Sequence, residues 1–468
     1  GGPAALAALA EAERRLNRSL NPSQQRAAAA AATSALTLVQ GPPGTGKTAV
    51  ALAVLIAWVV SGSMGGAPAL ACSDSNIAVD NLLEGLVNAG IRAVRLGRPD
   101  SVRPELLRHC VDGHSSGLSA SEAYQERMRQ LKSSQVICAT CVGVGSDVLS
   151  KMNLPAVLVD EATQATEGTS LVPLCRGAQR LVLLGDQCQL PPTVVARHAA
   201  ALEASQPLFN RLIADGAAPH MLDTQYRMHP AIAQLPSDLV YAGRLMSGVE
   251  PAARPPPAGF DWPRREWPVA LVPVLRGSEV SEGSSKLNRA EAEAVAAVVD
   301  GLRRAGAAPS EIGVISPYGA QVRLLRSLLR SGGRDASSVE VSSVDGFQGR
   351  EKEVIVFSAV RANSSGALGF LADARRLNVA FTRARRGLIV LGHPPTLGAD
   401  RSSAWAHWLA WARANGVVCG ERAHGQYDAA ATRAASADLM RAWGGGVAGA
   451  EPAPGPGPAP GPAHRTAP

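Results

Sequence analysis

The sequence predicts an α/β chain built as two parallel-sheet halves in tandem. Short β-rich runs alternate with helical patterns from Leu36 to about Leu391, the order expected of βα units around parallel sheets. A glycine-rich stretch, GPPGTGKT at 41–48, lies between the strand-like LTLVQ (36–40) and the helix-like KTAVALAVLIAWVV (47–60). Beyond about residue 221 a second group of polar motifs occupies a second α/β half, which a single phosphate-loop domain would not need. The three observations place a nucleotide cleft between the halves.

Length and composition agree, because 468 residues at 46% hydrophobic content bury two or three domain cores. The expected order is a helical lead-in (1–19), a first domain (20–220) with a short helical insertion at about 104–133, a second domain (221–400) and a helical extension (401–443). The tail 444–468, GGGVAGAEPAPGPGPAPGPAHRTAP, cannot bury apolar area and is expected to be disordered. Pro251–Pro268 carries too many prolines for a helix or central strand and reads as an irregular loop. The longest apolar run, Ala49–Val60, is well short of the roughly 20 residues a membrane helix needs. The chain begins at Gly1, shows no signal-peptide pattern through Arg18, and reads as a fragment.

The seven cysteines lack framework spacing and read as free thiols of a reducing compartment, with the lone pair Cys138 and Cys141 as ordinary thiols. The net charge of +7 admits phosphate-backbone contact, and it is almost all arginine. Abundant Ala, Gly and Pro make GC-rich coding the plainer source of that arginine.

In GPPGTGKT (Gly41, Pro42, Pro43, Gly44, Thr45, Gly46, Lys47, Thr48) the glycines let backbone N–H groups wrap phosphates at a helix N-terminus. Lys47 adds a point charge and Thr48 a hydroxyl for Mg²⁺. The metal needs a second ligand, which Asp160 supplies at the end of the apolar run AVLVD, and Glu161 stands next to it as the base that orients water. No Asn-Lys-x-Asp guanine reader occurs, which points to ATP. Arg227 and Arg383 are placed to act as fingers on the γ-phosphate from across a cleft.

In order, LNPSQ (20–24), GPPGTGKT, CSDSNIAVDNL (72–82), VICATCVGVG (136–145), DEATQATE (160–167) and GDQCQLPPTV (185–194) lead into QYRMHP (225–230). VISPYGAQ (314–321), VDGFQGREKEVIVFSAVR (344–361) and RRLNVAFTRARRGLIVLG (375–392) complete the set. Over roughly residues 20–400 this resembles superfamily 1 helicases of subclass B, and within them the up-frameshift-like helicases of nonsense-mediated mRNA decay. The chain departs from that type in having no Cys/His-rich zinc domain, no β-barrel before LNPSQ, a reduced insertion at Leu106–Lys132, and QLPP at Gln189–Pro192.

The resemblance implies two RecA-like domains. It assigns Gln24, with Gln25 as the alternative, to the adenine edge and Gln189 to γ-phosphate sensing. Tyr226 would stack near the adenine, Glu351 would meet the ribose or hydrolysis network, and Arg385 would share the finger role. Ser75, Asn76, Thr140, Pro317, Tyr318, Ser343 and Asn378 would face nucleic acid, with Tyr318 offering a stacking face, although each also fits a cap, strand-end or core role. With 4% aromatic residues, binding leans on phosphates and depends on salt. The expected function is ATP-dependent 5′-to-3′ translocation on RNA in mRNA decay. A DNA helicase of replication or repair, and an ATP-regulated RNA clamp that does not unwind, are the alternatives. Expected partners are single-stranded RNA or DNA and RNA-decay proteins, for a monomer without a membrane anchor in the cytoplasm or nucleus.

Overall fold

The computed structural model describes residues 2–114, 119–194, 205–331 and 338–443. The tail 444–468 lies outside them. Two parallel sheets organise the chain. The first contains β1 (Leu36–Gln40), β2 (Ala69–Ser73), β3 (Ala93–Leu96), β4 (Val136–Thr140), β5 (Ala156–Asp160), β6 (Arg180–Gly185) and β7 (His220–Met221), in the order β3-β4-β2-β5-β6-β1-β7. β2 and β5 are buried along their whole length, as expected of strands covered by helices on both faces. Because β7 pairs Met221 with Gln40 and Leu222 joins the first core, the first unit runs slightly past the expected boundary at 220.

The helix Lys47–Val60 is buried almost all round because the N-terminal helices Pro3–Arg15 and Pro22–Thr33 cover the face turned away from the sheet. Ala8, Leu9, Ala12, Ala27 and Ala31 belong to that core, and Trp58 Nε1 donates to Ala31 O at 3.3 Å. The helix Pro22–Thr33 starts with a full capping box, Asn21 and Gln24, and Pro22 at its first position. In the insertion, short 3₁₀ turns at Pro104–His109 and Val111–His114 precede the helix Ala120–Ser133.

The second sheet contains β8 (Val269–Pro273), β9 (Ile312–Ile315), β10 (Glu340–Ser342), β11 (Lys352–Ser358) and β12 (Ala384–Gly392), in the order β8-β12-β11-β9-β10, again all parallel. Its core is aromatic: Phe357, Phe381, Trp405 and Trp408 stack edge-on or tilted, with ring centroids 5.4–6.0 Å apart. The last two come from the helix Ala404–Ala414, so the C-terminal extension is part of this core. Cys188 and Leu190, from the loop after β6 of the first sheet, are also buried there. One loop of the first unit is therefore anchored inside the second.

Candidate nucleotide cleft and nucleic-acid face

In parallel sheets ligands gather at the carboxyl ends of strands. At those ends the first sheet carries Gly41–Thr48 after β1, Asp74 and Ser75 after β2, Glu161 after β5 and Asp186–Gln189 after β6. The helix that follows the phosphate loop has Gly46 as its N-cap and no side-chain cap, leaving its N-terminal donors for an anion. Gly44 has a φ of +76°, and a Cβ there would stand 2.7 Å from Arg227 Cβ. Lys47 Nζ donates to Gly41 O at 2.8 Å and lies 3.7 Å from Glu161 Oε1. Thr45 Oγ1 donates to Pro42 O at 2.7 Å, tightening the loop.

Asp160 ends β5 and is 3% exposed. Burial, and after it the neighbouring Glu161, push its carboxyl up to about 7, while Lys47 pulls the other way. Glu161 itself turns the chain through a left-handed conformation, φ +52°, which is strained for a residue with a side chain. Its Oε2 accepts from Gln164 Nε2 at 2.9 Å. Thr48 lines the same cavity as these two carboxylates, so a hydroxyl and a buried carboxyl in need of a positive partner stand together.

The opposite wall comes from the second unit. Arg227 Nε donates to Glu351 Oε2 at 2.5 Å and its Nη1 to Thr382 O at 2.9 Å. Arg385 Nη1 lies 3.5 Å from Glu351 Oε1. Arg383 is 2% exposed; burial, then the charge of Arg227, lower its guanidinium to about 9. Lys47, Thr48, Asp160, Glu161, Gln189, Tyr226, Arg227, Glu351, Arg383 and Arg385 all line one cavity of about 560 Å³. Arg18, Gln164, Gln348 and Arg350 line it too and were not singled out from sequence. The last two lie inside the quoted FQGRE stretch, where neighbouring position was the only available signal.

Two adenine-side expectations take another form. Gln24 is 1% exposed, its Oε1 accepts from Asn21 N at 2.9 Å and its Nε2 donates to Thr45 O at 2.8 Å. The amide braces the phosphate loop and keeps one N–H over. Gln25 reaches Glu13 Oε1 at 3.3 Å on the outer surface. Tyr226 does lie in the cleft: its N donates to Gly44 O at 2.8 Å and its hydroxyl accepts from Asn21 Nδ2 at 2.8 Å.

The loop after β6 joins the walls. Asp186 is fully buried, and burial raises its carboxyl above the usual range. Its Oδ2 accepts from Gln189 Nε2 at 2.8 Å, while Gln189 Oε1 accepts from Arg383 Nη2 at 3.3 Å. Gln189 thus links an acid of the first unit to an arginine of the second.

Of the residues assigned to nucleic acid, Ser75, Asn76 and Thr140 sit at the carboxyl ends of β2 and β4, and Pro317 and Ser343 at those of β9 and β10. Ser75 Oγ caps the helix Asn76–Asn88 through Ala78 N, and Asn76 Oδ1 accepts from the buried Arg95 at 2.6 Å. Thr140 and Ser343 hydroxyls accept from Gly143 N and Gly346 N, each at 3.1 Å.

Two expectations are corrected. Tyr318 is 3% exposed with its ring against Phe370 and its hydroxyl donating to Leu368 O at 3.4 Å, so it presents no open stacking face. The open aromatic is Phe370, 52% exposed, with the Arg376 guanidinium 5.4 Å from its ring centre. Asn378 has no exposed surface at all: its Nδ2 donates to Cys188 O and to Tyr241 Oη, both at 3.0 Å. Helical position turned it inward, and it joins the two units instead of meeting a strand.

A phosphate loop and acidic pair facing arginines of a second parallel-sheet unit define a two-domain P-loop NTPase of the RecA-like kind. Two family models, each described as an AAA domain, match residues 19–134 with 119–197, and residues 204–395. The Drosophila melanogaster "Regulator of nonsense transcripts 1 homolog" is 38% identical over 83% of this chain and 35% of its own length. The Arabidopsis thaliana homolog is 39% identical over 81% and 33%. The Saccharomyces cerevisiae "ATP-dependent helicase NAM7" is 38% identical over 85% and 44%. A solved arterivirus helicase, nonstructural protein 10, superposes with a TM-score of 0.38 at 15% identity, over 79% of this chain and 61% of that one. The chain belongs to the up-frameshift-like superfamily 1B helicases, and it spans less than half the length of these curated relatives.

Proposed function

We propose that this chain is an ATP-dependent helicase core that moves 5′ to 3′ along single-stranded RNA in mRNA decay. The single observation that carries the ATPase is the cavity where Lys47, Asp160 and Glu161 meet Arg227 and Arg383 of the other unit. Lys47 and the loop amides hold the β- and γ-phosphates, and Glu161 orients the attacking water. Arg227 and Arg383, with Arg385 beside them, neutralise charge developing on the γ-phosphoryl group. Thr48 and Asp160 are the residues that would hold Mg²⁺, which would supply positive charge to offset that of the phosphates.

Movement requires that the ATP-bound and ATP-free states grip nucleic acid differently. Gln189 is the residue suited to report the γ-phosphate, since its loop is rooted in both cores. Polarity, RNA rather than DNA, decay-factor partners and a cytoplasmic setting rest on the family resemblance and on the relatives' names. Among the described residues no helix is long and apolar enough to cross a membrane.

Tailed duplexes of RNA and DNA with 5′ or 3′ overhangs test the reading. ATP-dependent strand release from 5′-tailed RNA alone supports it. Release from DNA only would reassign the substrate, and ATP-dependent binding without release would make the chain a clamp.

A further inference from the structure

The cleft residues Gln189 and Arg383 are held by a hydrogen-bond chain that lies behind them, through Asp186, Tyr241 and Asn378, none of which lines the cavity. Tyr241, at the end of the helix Pro230–Val240, is fully buried in the second unit's core. Its hydroxyl donates to Asp186 Oδ2 at 2.7 Å and accepts from Asn378 Nδ2 at 3.0 Å. With Asp186 ionised the carboxylate only accepts, so Tyr241 donates to it and the hydroxyl lone pair is free for the Asn378 amide. The second N–H of that amide goes to Cys188 O, on the same loop as Asp186. Asp186 in turn accepts from Gln189 Nε2 and from Cys188 N, the latter at 3.2 Å.

We infer that Tyr241 is a positioning residue that couples the two lobes: its hydroxyl clamps Asp186 and thereby sets the rotamer in which Gln189 meets Arg383. Two residues from separate segments of the second unit, Tyr241 and Asn378, converge on one loop only five residues long, Asp186–Leu190, which follows β6 of the first unit. Any relative motion of the lobes must break or carry this chain. A buried network of this kind is fixed in geometry while complete and loose once one member is lost.

The mechanistic consequence rests on the proposed ATPase, whereas the clamp itself does not. Tyr241→Phe keeps the ring and removes the hydroxyl alone. Hydrogen exchange of the nucleotide-free protein should show the amides of Cys188 and Gln189 exchanging about tenfold faster, with those of β1 unchanged. In the ATPase assay with single-stranded RNA, kcat should fall about tenfold while KM for ATP stays within about twofold. Asn378→Ala should do the same, and the double variant should be no worse than either single one, because both cut one chain. Ser436→Ala is the control: its Oγ accepts from Ala242 N at 3.2 Å, one residue beyond Tyr241, without reaching Asp186. Loop exchange as slow as wild type in Tyr241→Phe overturns the inference, whatever the ATPase does. So do losses that multiply in the double variant, or an equal effect from Ser436→Ala. Wild-type protein without RNA-stimulated turnover would overturn the helicase reading and leave the exchange result to decide the clamp.

Discussion

Arg383→Met should separate stability from activity. The guanidinium is 2% exposed, and burial, then the charge of Arg227, lower it from its ordinary value to about 9, which corresponds to ~5 kcal/mol of lost preference for the charged form. Against this stand its hydrogen bonds to Val379 O at 2.8 Å, Thr382 Oγ1 at 3.1 Å and Gln189 Oε1 at 3.3 Å. These bonds hold the guanidinium in place without cancelling that cost, so the charge remains a net burden of a few kcal/mol in the nucleotide-free protein. Methionine fills much of the same volume without charge, so the melting temperature should hold or rise by a few degrees. A γ-phosphate would be the missing counter-charge, and losing a finger typically lowers turnover by about 10³-fold or more. Thermal unfolding without nucleotide and RNA-stimulated ATPase read the two effects. A lower melting temperature together with turnover within about threefold of wild type would refute the reasoning, because the arginine would then be structural.

Lys47→Ala should abolish ATP turnover while changing the melting temperature little, since among the described residues its Nζ makes one hydrogen bond, to Gly41 O, and a loose 3.7 Å ion pair with Glu161; unchanged kcat would remove the site assignment. Gly44→Ala should lower stability by about 1–2 kcal/mol through its left-handed backbone alone, and weaken nucleotide binding further because the new methyl meets Arg227. Calorimetric unfolding and titration with a non-hydrolysable ATP analogue check both parts. Burial raises the carboxyls of Asp160 and Glu291 to about 7, so between about pH 4.5 and 7 the folded chain keeps protons that the unfolded chain has released. Their contribution to stability is therefore present at low pH and lost as pH rises through 7. Melting curves across that range should show the decline, and Glu291→Gln should flatten part of it; an identical slope in the variant would contradict the assignment.

The backbone-level features were legible because they depend on few residues. Gly44 and Gly46 announce a turn that only glycine adopts easily, and a run such as AVLVD ending in an acid announces a buried strand opening onto a cleft. What a sequence does not carry is which way a polar side chain turns once the helices pack. Asn378 and Tyr318 sit inside motifs that suggest contact with a strand, yet packing of the helix Ala374–Phe381 and of Phe370 turned both inward. Gln24 is a capping-box residue as well as a cleft neighbour, and the cap determines its rotamer here. Tyr241 stands outside every quoted motif, so nothing before the fold linked it to Asp186. Cys188, read as one of seven free thiols, is free and also anchors one unit in the other.

The central claim is that both lobes supply charged groups to one nucleotide. A crystal structure with ADP, aluminium fluoride, Mg²⁺ and a short single-stranded RNA tests it most directly. The fluoride should be held by Lys47 and the phosphate-loop amides on one side, and by the guanidinium groups of Arg227 and Arg383 within hydrogen-bond reach on the other. A nucleotide bound by the first lobe alone, with Arg227 still on Glu351 and Thr382 and Arg383 still on Val379, Thr382 and Gln189, would contradict it.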